Sequence, residues 1–222
     1  MNLPKDIVQE MRERRVVAVV RLSNGDSIRE VADALIEGGI TCIEITMTVP
    51  TATRCIEILS VEYPGVLVGA GTVMSEEAVV SCADAGASFV VSPVLVQEVV
   101  AAARRLSLPV IPGAMTPTEV VSAWNAGAKM VKVFPAARLG SAYLGDLRGP
   151  LPDIPLLPTG GINDENIREY LDAGAAAVCV GSWLVCPDAV RDGNFGLITQ
   201  KAQRLLRCLS EQGIGNGTGE GA

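Results

Sequence analysis

The sequence has no histidine, few aromatic residues, no metal-binding cysteine spacing and no long apolar run. The absence of histidine excludes His-based catalytic triads and His-ligated metals, so acid–base work falls to Glu, Asp, Lys, Tyr, Cys or bound water. The six cysteines are scattered without a Cys-x-x-Cys spacing, so we expect neither a disulfide framework nor a zinc site.

Charge and hydropathy exclude further classes of protein. Eighteen basic and 25 acidic residues give a formal net charge of -7, and without basic clusters this argues against nucleic-acid binding. A local positive potential could still attract an anionic metabolite. The first fifteen residues lack the apolar core of a secretory signal, and no apolar run reaches membrane-spanning length. We therefore expect a cytoplasmic enzyme or binding protein, with no membrane partner.

The core must be aliphatic, because 49% of the residues are hydrophobic and only 4% are aromatic. This composition is typical of parallel strands that are buried on both faces. Eight short aliphatic runs are predicted to be strands: Val16–Arg21, Cys42–Ile45, Val66–Ala70, Ser88–Val91, Val110–Ile111, Met130–Val133, Ile154–Leu157 and Ala177–Val180.

Helical periodicity fills most of the segments between these strands. The predicted helices are Ser27–Glu37, Thr51–Val61, Ser75–Ala85, Leu95–Leu106, Pro117–Ala126, Asp164–Ala173 and a last one near Phe195–Gln212. Four polar residues are predicted to accept hydrogen bonds from first-turn amides: Asp26, Ser75, Thr116 and Asn163.

A glycine repeat indicates how these elements are arranged. Glycines end four similar segments, at Gly39, Gly86, Gly127 and Gly174, roughly 45 residues apart, which is the length of about two βα units. Four double units make eight, the number that closes a parallel barrel. An open doubly wound sheet is the alternative, but it more often carries a GxGxxG after its first strand, and none is present.

We therefore predict a single α/β domain over residues 1–212. Its fold is a (β/α)8 TIM barrel with an N-terminal helix and an extra C-terminal helix, and residues 213–222 form a flexible glycine-rich tail.

Lys132 stands among apolar residues near the end of the sixth predicted strand. Burying an ammonium is costly unless it is paired or loses its proton, so Lys132 is a candidate imine-forming nucleophile. From this segment alone, a lysine that snorkels to water is the more common case. Glu44, inside the run CIEIT, must find a cation or hydrogen bonds or have its pKa raised. A structural ion pair would also explain both residues.

Two glycine-rich loops follow the seventh and eighth predicted strands. They are PTGGI (Pro158–Ile162) and VGSW (Val180–Trp183), and in such barrels these two positions commonly form a phosphate site. Exposed glycine amides and the following helix N-terminus favour an anion. A single TGG turn is weak support for a phosphate site, whereas two such loops at adjacent strand ends are a moderately specific sign of one.

The strings EGGITCIEIT, GAGTV, VSP, IPGAMTPTE, KVFPA, PTGGIN and VGSWLV occur here in the order of a known family. The chain resembles the 2-keto-3-deoxy-6-phosphogluconate (KDPG) and 4-hydroxy-2-oxoglutarate (KHG) aldolases over roughly residues 15–190. The resemblance implies a class I aldolase on a (β/α)8 barrel, assembled as a homotrimer, that acts on a small 2-keto acid phosphate.

The resemblance also implies roles for particular residues, matched motif by motif. Lys132 resembles the Schiff-base lysine and Glu44 the proton-shuttling carboxylate. The residues that resemble substrate-binding positions are Thr72 and Thr159 for the pyruvyl carboxylate, Pro93 and Phe134 for the pyruvyl pocket, and Gly160, Gly161, Gly181 and Ser182 for the phosphate.

One position departs from the family pattern. Some members carry an arginine four residues after the glutamate, as a carboxylate clamp, but this chain has Thr48 there. Arg21, which ends the first strand and resembles an arginine of other members, could supply the charge, since a guanidinium suits a planar carboxylate. The alternative for Arg21 is a surface salt bridge.

The expected reaction is retro-aldol cleavage of KDPG to pyruvate and glyceraldehyde 3-phosphate, with 4-hydroxy-2-oxoglutarate as a further substrate. No metal or other cofactor is expected, because the iminium is the electron sink. Three alternatives stay open. They are the epimeric 2-keto-3-deoxy-6-phosphogalactonate as substrate, a phosphosugar isomerase or epimerase without an imine, and a phosphometabolite-binding barrel without activity.

Overall fold

Short aliphatic segments form a curled parallel sheet in the computed structural model, which describes residues 6–210. Side chains on both faces of these strands are buried, as the composition predicts. The strand segments are β1 (Val16–Val20), β2 (Cys42–Thr46), β3 (Leu67–Gly71), β4 (Phe89–Val91), β5 (Val110–Ile111), β6 (Gly113–Ala114), β7 (Val131–Val133), β8 (Leu156–Pro158) and β9 (Val178–Val180).

The strands close into a barrel with eight strand positions. One sheet has the order β5-β4-β3-β2-β1-β9 and the other β6-β7-β8. Pro112 separates β5 from β6, and because proline has no amide N–H it interrupts the ladder at that point. The Pro112 carbonyl nevertheless accepts the Lys132 amide at 2.9 Å, and a bridge between Thr159 and Cys179 joins β8 to β9. The predicted barrel is confirmed, with its fifth strand split in two.

Helices cover the outside of the barrel. In residues 6–210 they are α1 (Ile7–Arg14), α2 (Ile28–Glu37), α3 (Ala52–Glu62), α4 (Glu76–Asp84), α5 (Gln97–Arg105), α6 (Pro117–Ala126), α7 (Ala136–Arg148), α8 (Ile167–Asp172), α9 (Pro187–Arg191) and α10 (Phe195–Ser210). The N-terminal and C-terminal extra helices are confirmed as α1 and α10. The predicted end of the last helix, at 211 and 212, and the tail at 213–222 lie outside the described residues.

The helices α7 and α9 were not predicted from the sequence, and one of the four predicted caps is wrong. Gly140, at φ 80°, breaks the helical geometry inside α7, which weakens its periodic pattern. Ser75 and Thr116 cap their helices as predicted. Asn163 accepts the Glu165 amide at 2.9 Å as predicted, in the turn that leads into α8, although the regular helix begins only after Asn166. The cap at Asp26 is wrong, because α2 begins after Ser27.

The repeating glycines occupy the left-handed conformation that their pattern predicts. The φ angles of Gly39, Gly86, Gly127 and Gly174 are 89°, 91°, 110° and 93°. A residue with a Cβ adopts this region only at a cost, so glycine is favoured at each of these turns into the next strand.

The barrel interior is apolar below the strands' carboxyl ends. Phe89, Met130 and Leu157 fill it, and Ile7 and Met11 of α1 pack against the same cluster. Because α1 precedes β1, it covers the end of the barrel at which the strands begin. Among the described residues, no helix is long and apolar enough to cross a bilayer.

Candidate active site

Lys132 points into the barrel because side chains alternate along β7. Its neighbours Val131 and Val133 pack outward against the helices, whereas Met130 packs in the interior. The Lys132 side chain is buried at 6% exposure, and its Nζ lies 5.4 Å from the centre of the Phe134 ring. On either side of Lys132 the register partners are Gly113 and Leu157.

Lys129 lies two residues before β7, toward the end of the barrel at which the strands begin. Its amide donates to the Val110 carbonyl at 3.0 Å, and its side chain is exposed. The two lysines therefore have different environments, although three residues separate them in sequence.

Glu44 occupies the interior face of β2. It is 1% exposed, and neither carboxylate oxygen has a hydrogen-bond partner within the described part of the chain. Its register partner is Gly69, but its carboxylate reaches the level of Gly71, so the side chain leans toward the carboxyl ends of the strands. A Cβ on Gly71 would lie 2.6 Å from the Glu44 Cδ. Gly71 thus makes room for Glu44, a role that the sequence analysis missed.

The electrostatics of Glu44 connect it to both cationic candidates. Burial raises the pKa of Glu44, while the charges of Lys132 and Arg21 act in the opposite direction. Among residues 6–210, Glu44 and Lys132 do not form a direct ion pair within 4.0 Å. The two side chains therefore share one buried region without direct contact, and a simple structural ion pair does not describe them.

Two cysteines line the barrel interior below these residues. Burial raises the pKa of Cys179 to about 12, with a further contribution from the Glu44 charge, and burial also raises the pKa of Cys42. Both groups are therefore thiols at neutral pH and poor nucleophiles. All six cysteines are free. Among the described residues, no group of three or more His, Cys, Asp and Glu side chains is arranged to hold a metal.

A cleft of about 320 Å³ opens at the carboxyl ends of β1, β7, β8 and β9. Lys132 and Glu44 do not line it, but Phe134 does, and its ring centre is 5.4 Å from the Lys132 Nζ. Seven predicted site residues line the cleft: Arg21, Phe134, Thr159, Gly160, Gly161, Gly181 and Ser182. Five others were not predicted from the sequence, namely Val19, Ile162, Trp183, Val185 and Pro187. Trp183 carried a signal, since it directly follows Ser182 in the VGSW loop.

The two loops at this cleft, 159–166 and 181–184, are called the rim loops below. The amide N–H groups of Gly161, Ser182 and Trp183 have no acceptor among the described residues, whereas the Gly160 amide faces Cys179 in the bridge between β8 and β9. Gly160 and Gly161 have φ angles of 97° and 73°, a conformation that turns successive amides toward one side. The Gly160 carbonyl is held in place, because it accepts the Ala137 amide at 3.0 Å. The rim loops thus offer free donors to an anion.

Arg21 and Thr48 differ in whether they are available to bind a substrate carboxylate. Arg21 lines the cleft beside the rim loops. The Thr46 hydroxyl donates to the Val20 carbonyl at 3.3 Å, so Thr48 is the donor in its 2.8 Å bond to Thr46. The Thr48 proton is already in use, and Thr48 is therefore a poor replacement for a guanidinium clamp.

Thr72 and Pro93 lie on the other side of the mouth and do not line this cleft. Thr72 follows Gly71 and has φ 58°, an uncommon conformation for a non-glycine residue that often marks a functional site. Pro93 follows β4, and its carbonyl packs against Gly113, the register partner of Lys132. Thr72 thus follows the glycine that makes room for Glu44, and Pro93 lies beside the glycine that pairs with Lys132.

The chain is similar to a family of known proteins. A model of the family described as KDPG and KHG aldolase matches residues 7–201. A 2-dehydro-3-deoxy-phosphogluconate aldolase from Treponema pallidum is 37% identical over 204 residues, covering 91% of this chain and 97% of that protein. The enzyme of that name from Haemophilus influenzae is 34% identical over 203 residues, covering 91% of this chain and 96% of that protein.

A solved structure adds a chemical detail about a relative. The KDPG aldolase from Legionella pneumophila, with pyruvate captured at low pH as a covalent carbinolamine intermediate, matches this chain with a TM-score of 0.84. It is 32% identical, and the match covers 92% of this chain and 98% of that one.

Proposed function

Because the chain belongs to the KDPG and KHG aldolase family, and is therefore a carbon–carbon lyase, we propose that it cleaves 2-keto-3-deoxy-6-phosphogluconate to pyruvate and glyceraldehyde 3-phosphate. The reaction proceeds through an imine on Lys132. The observation that carries the proposal is a buried lysine and a buried, unpartnered carboxylate below loops with free amides.

Lys132 is the nucleophile. Its amine attacks the C2 ketone, and loss of water gives an iminium that accepts the electron pair when C3–C4 breaks. The covalent pyruvate intermediate of the Legionella relative supports this route. Phe134, beside Lys132, and Pro93 line the pyruvyl pocket, and Thr72 and Thr159 hold the pyruvyl carboxylate.

Glu44 moves the proton. Directly or through water, it removes the proton of the C4 hydroxyl, and it later returns a proton to the enamine before hydrolysis releases pyruvate. Its lack of a hydrogen-bond partner and its raised pKa both suit a group that must accept and then donate a proton. The neutral thiols of Cys42 and Cys179 do not compete in this step.

The rim loops bind the terminal phosphate. Gly160, Gly161, Gly181 and Ser182 supply amides and a hydroxyl, and Arg21 adds positive charge in the same cleft. These donors favour a phosphorylated substrate over unphosphorylated 4-hydroxy-2-oxoglutarate. They do not distinguish the gluconate from the galactonate series, whose C4 centres differ. Values of kcat/KM for the two epimeric phosphates decide between them.

The homotrimer implied by the resemblance is also part of this proposal. Met74, Val94 and Met115 are exposed apolar side chains on loops after β3, β4 and β6, and burial of such side chains in an assembly would be favourable. The mass of the protein in solution tests the trimer, which should have three times the mass of the single chain.

Borohydride trapping with pyruvate tests the mechanism. Reduction of the imine should fix a pyruvate-derived adduct to Lys132, located by peptide mass spectrometry, and Lys132→Met should abolish both the adduct and turnover. Lys129→Met is the matched control, because it removes an exposed lysine of the same strand position. An adduct on Lys129 would identify that lysine as the nucleophile instead. The absence of any adduct would favour a barrel isomerase, which needs no imine.

A further inference from the structure

The C-terminal helix α10 contacts the second rim loop through Lys201. The Lys201 Nζ donates to the Trp183 carbonyl at 2.7 Å and lies 5.2 Å from the centre of the Trp183 ring. Trp183 follows Ser182 and forms part of the wall of the cleft. One side chain of α10 therefore fixes both the backbone and the ring of a residue at the phosphate site.

The same helix contacts the first rim loop through Arg204. Arg204 forms an ion pair with Asp164, whose side chain is only 5% exposed. Asp164 lies in a loop that is already held internally, since the Asn166 side chain donates to the Gly161 carbonyl at 3.0 Å and accepts the Asn163 amide at 2.9 Å. The ion pair of Arg204 therefore joins α10 to a loop segment whose backbone is bonded to Gly161 through Asn166.

Lys201 and Arg204 are three residues apart and lie on the same face of α10. The adjacent face is anchored to the barrel by the buried side chains of Ile198, Ala202 and Leu205. The Thr199 hydroxyl also donates to the Ala34 carbonyl of α2 at 3.1 Å. The helix is thus a fixed support from which two cationic side chains extend to two loops.

We propose that Lys201 and Arg204 are positioning residues that hold the two rim loops in the conformation that binds the substrate phosphate. The inference rests on the proposed function and deepens it, because it makes phosphate recognition depend on a helix outside the eight βα units. Free amides bind an anion well only when they are already oriented, since loops that must be ordered on binding lose affinity. Neither residue contacts the reacting carbons.

Selectivity between two substrates separates this role from simple stabilisation of the fold. Lys201→Met and Arg204→Met should each raise KM for the phosphorylated substrate about tenfold, the loss typical of one charge-assisted hydrogen bond. KM and kcat for unphosphorylated 4-hydroxy-2-oxoglutarate, and the rate of borohydride trapping with pyruvate, should stay within about twofold of the parent enzyme. Lys201→Arg should restore the parent KM, because a guanidinium can donate to the same carbonyl.

Arg207→Met is the matched control, since Arg207 is an exposed cation one turn further along α10. It should leave KM for the phosphorylated substrate unchanged. Equal losses for both substrates in the Lys201→Met and Arg204→Met variants would overturn the proposal, as would an Arg207→Met variant with the same defect.

A second measurement does not depend on aldolase activity. The sequence has two tryptophans, and Trp124→Phe on α6 leaves Trp183 as the only one. Titration with inorganic phosphate should then change the Trp183 fluorescence, and Lys201→Met should weaken the apparent phosphate Kd about tenfold. Unchanged phosphate affinity in the Lys201→Met variant would overturn the positioning role. Loss of cleavage and of trapping in the parent enzyme, with phosphate binding intact, would instead contradict the proposed function.

Discussion

The interior of the barrel mouth and its rim bind with different parts of the chain. In the proposed mechanism, Lys132 and Glu44 act in the interior through buried ionisable side chains, and burial raises the pKa of Glu44. In the same proposal, Gly161 and Ser182 act at the rim mainly through backbone amides that have no acceptor in the described residues. Chemistry is thus assigned, in this proposal, to buried side chains and recognition to backbone geometry.

This difference means that the two tasks can be altered separately. The interior groups lie on strands, whose positions are fixed by ladder hydrogen bonds on both sides. The rim loops depend on glycine conformations and on supports such as α7 and α10. Changes in the interior should therefore lower kcat, while changes at the rim should raise KM for phosphorylated substrates.

The largest effect that we predict concerns Glu44. Glu44→Gln should lower kcat for cleavage by about 10²–10⁴-fold, the usual contribution of a general acid–base group, because an amide cannot accept and return the proton. Some imine should still form, so borohydride should still trap pyruvate on Lys132. Stopped-flow cleavage assays and adduct mass spectrometry measure the two properties. Unchanged turnover would leave Glu44 with only a structural role.

A smaller effect is expected at the rim. Gly161→Ala introduces a Cβ where φ is 73° and where the Ala137 Cβ already lies, so the loop must shift. Backbone strain of this kind costs about 1–3 kcal/mol, which corresponds to roughly 5–150-fold in KM for the phosphorylated substrate. Trapping of pyruvate should be unaffected. An equal loss of trapping would remove the distinction between interior and rim. Gly145→Ala, in open space on α7, is the glycine control.

The smallest effect concerns stability. Burial raises the pKa of Glu44 in the folded chain above its ordinary value near 4.3, so the folded state binds more protons than the unfolded state between those two pKa values. The free energy of unfolding should therefore fall, relative to Glu44→Gln, as pH rises through this window. Urea unfolding of both proteins from about pH 4.5 to pH 8 measures the difference. A difference that does not change with pH would contradict the raised pKa.

Glu98→Gln supplies the control for this comparison. It removes an exposed carboxylate from α5 and so reports the effect of losing a surface charge alone.

Much of the fold followed from local patterns. Aliphatic runs located all eight strand positions, and the glycine repeat gave their pairing into βα units. The split at Pro112 and the helices α7 and α9 were not predicted. The helix α9 has only five residues, too few for a periodic pattern. Gly113–Ala114 is too short to give an alternating pattern, and Gly140 breaks the periodicity of α7.

The site was predictable where residue type alone indicates chemistry. Lys132 and Glu44 stood out as charges inside apolar strands, and the paired glycine loops indicated an anion site. Gly71 was missed, because its role is to leave space for a side chain of the neighbouring strand. Lys201 and Arg204 were missed for a similar reason. Their contacts join α10 to loops that lie far from it in sequence, and no local pattern reports such a contact.

The covering of the lower end of the barrel by α1 has a kinetic consequence. With that end packed by Ile7 and Met11, the mouth is the route by which molecules reach and leave Lys132. In the proposed reaction, the phosphorylated aldehyde lies nearer the rim and pyruvate is attached below it. In that reaction the aldehyde leaves first because pyruvate is still covalently attached to Lys132 when C3–C4 has broken. The helix α1 adds a second condition, since it leaves both products only the mouth as an exit.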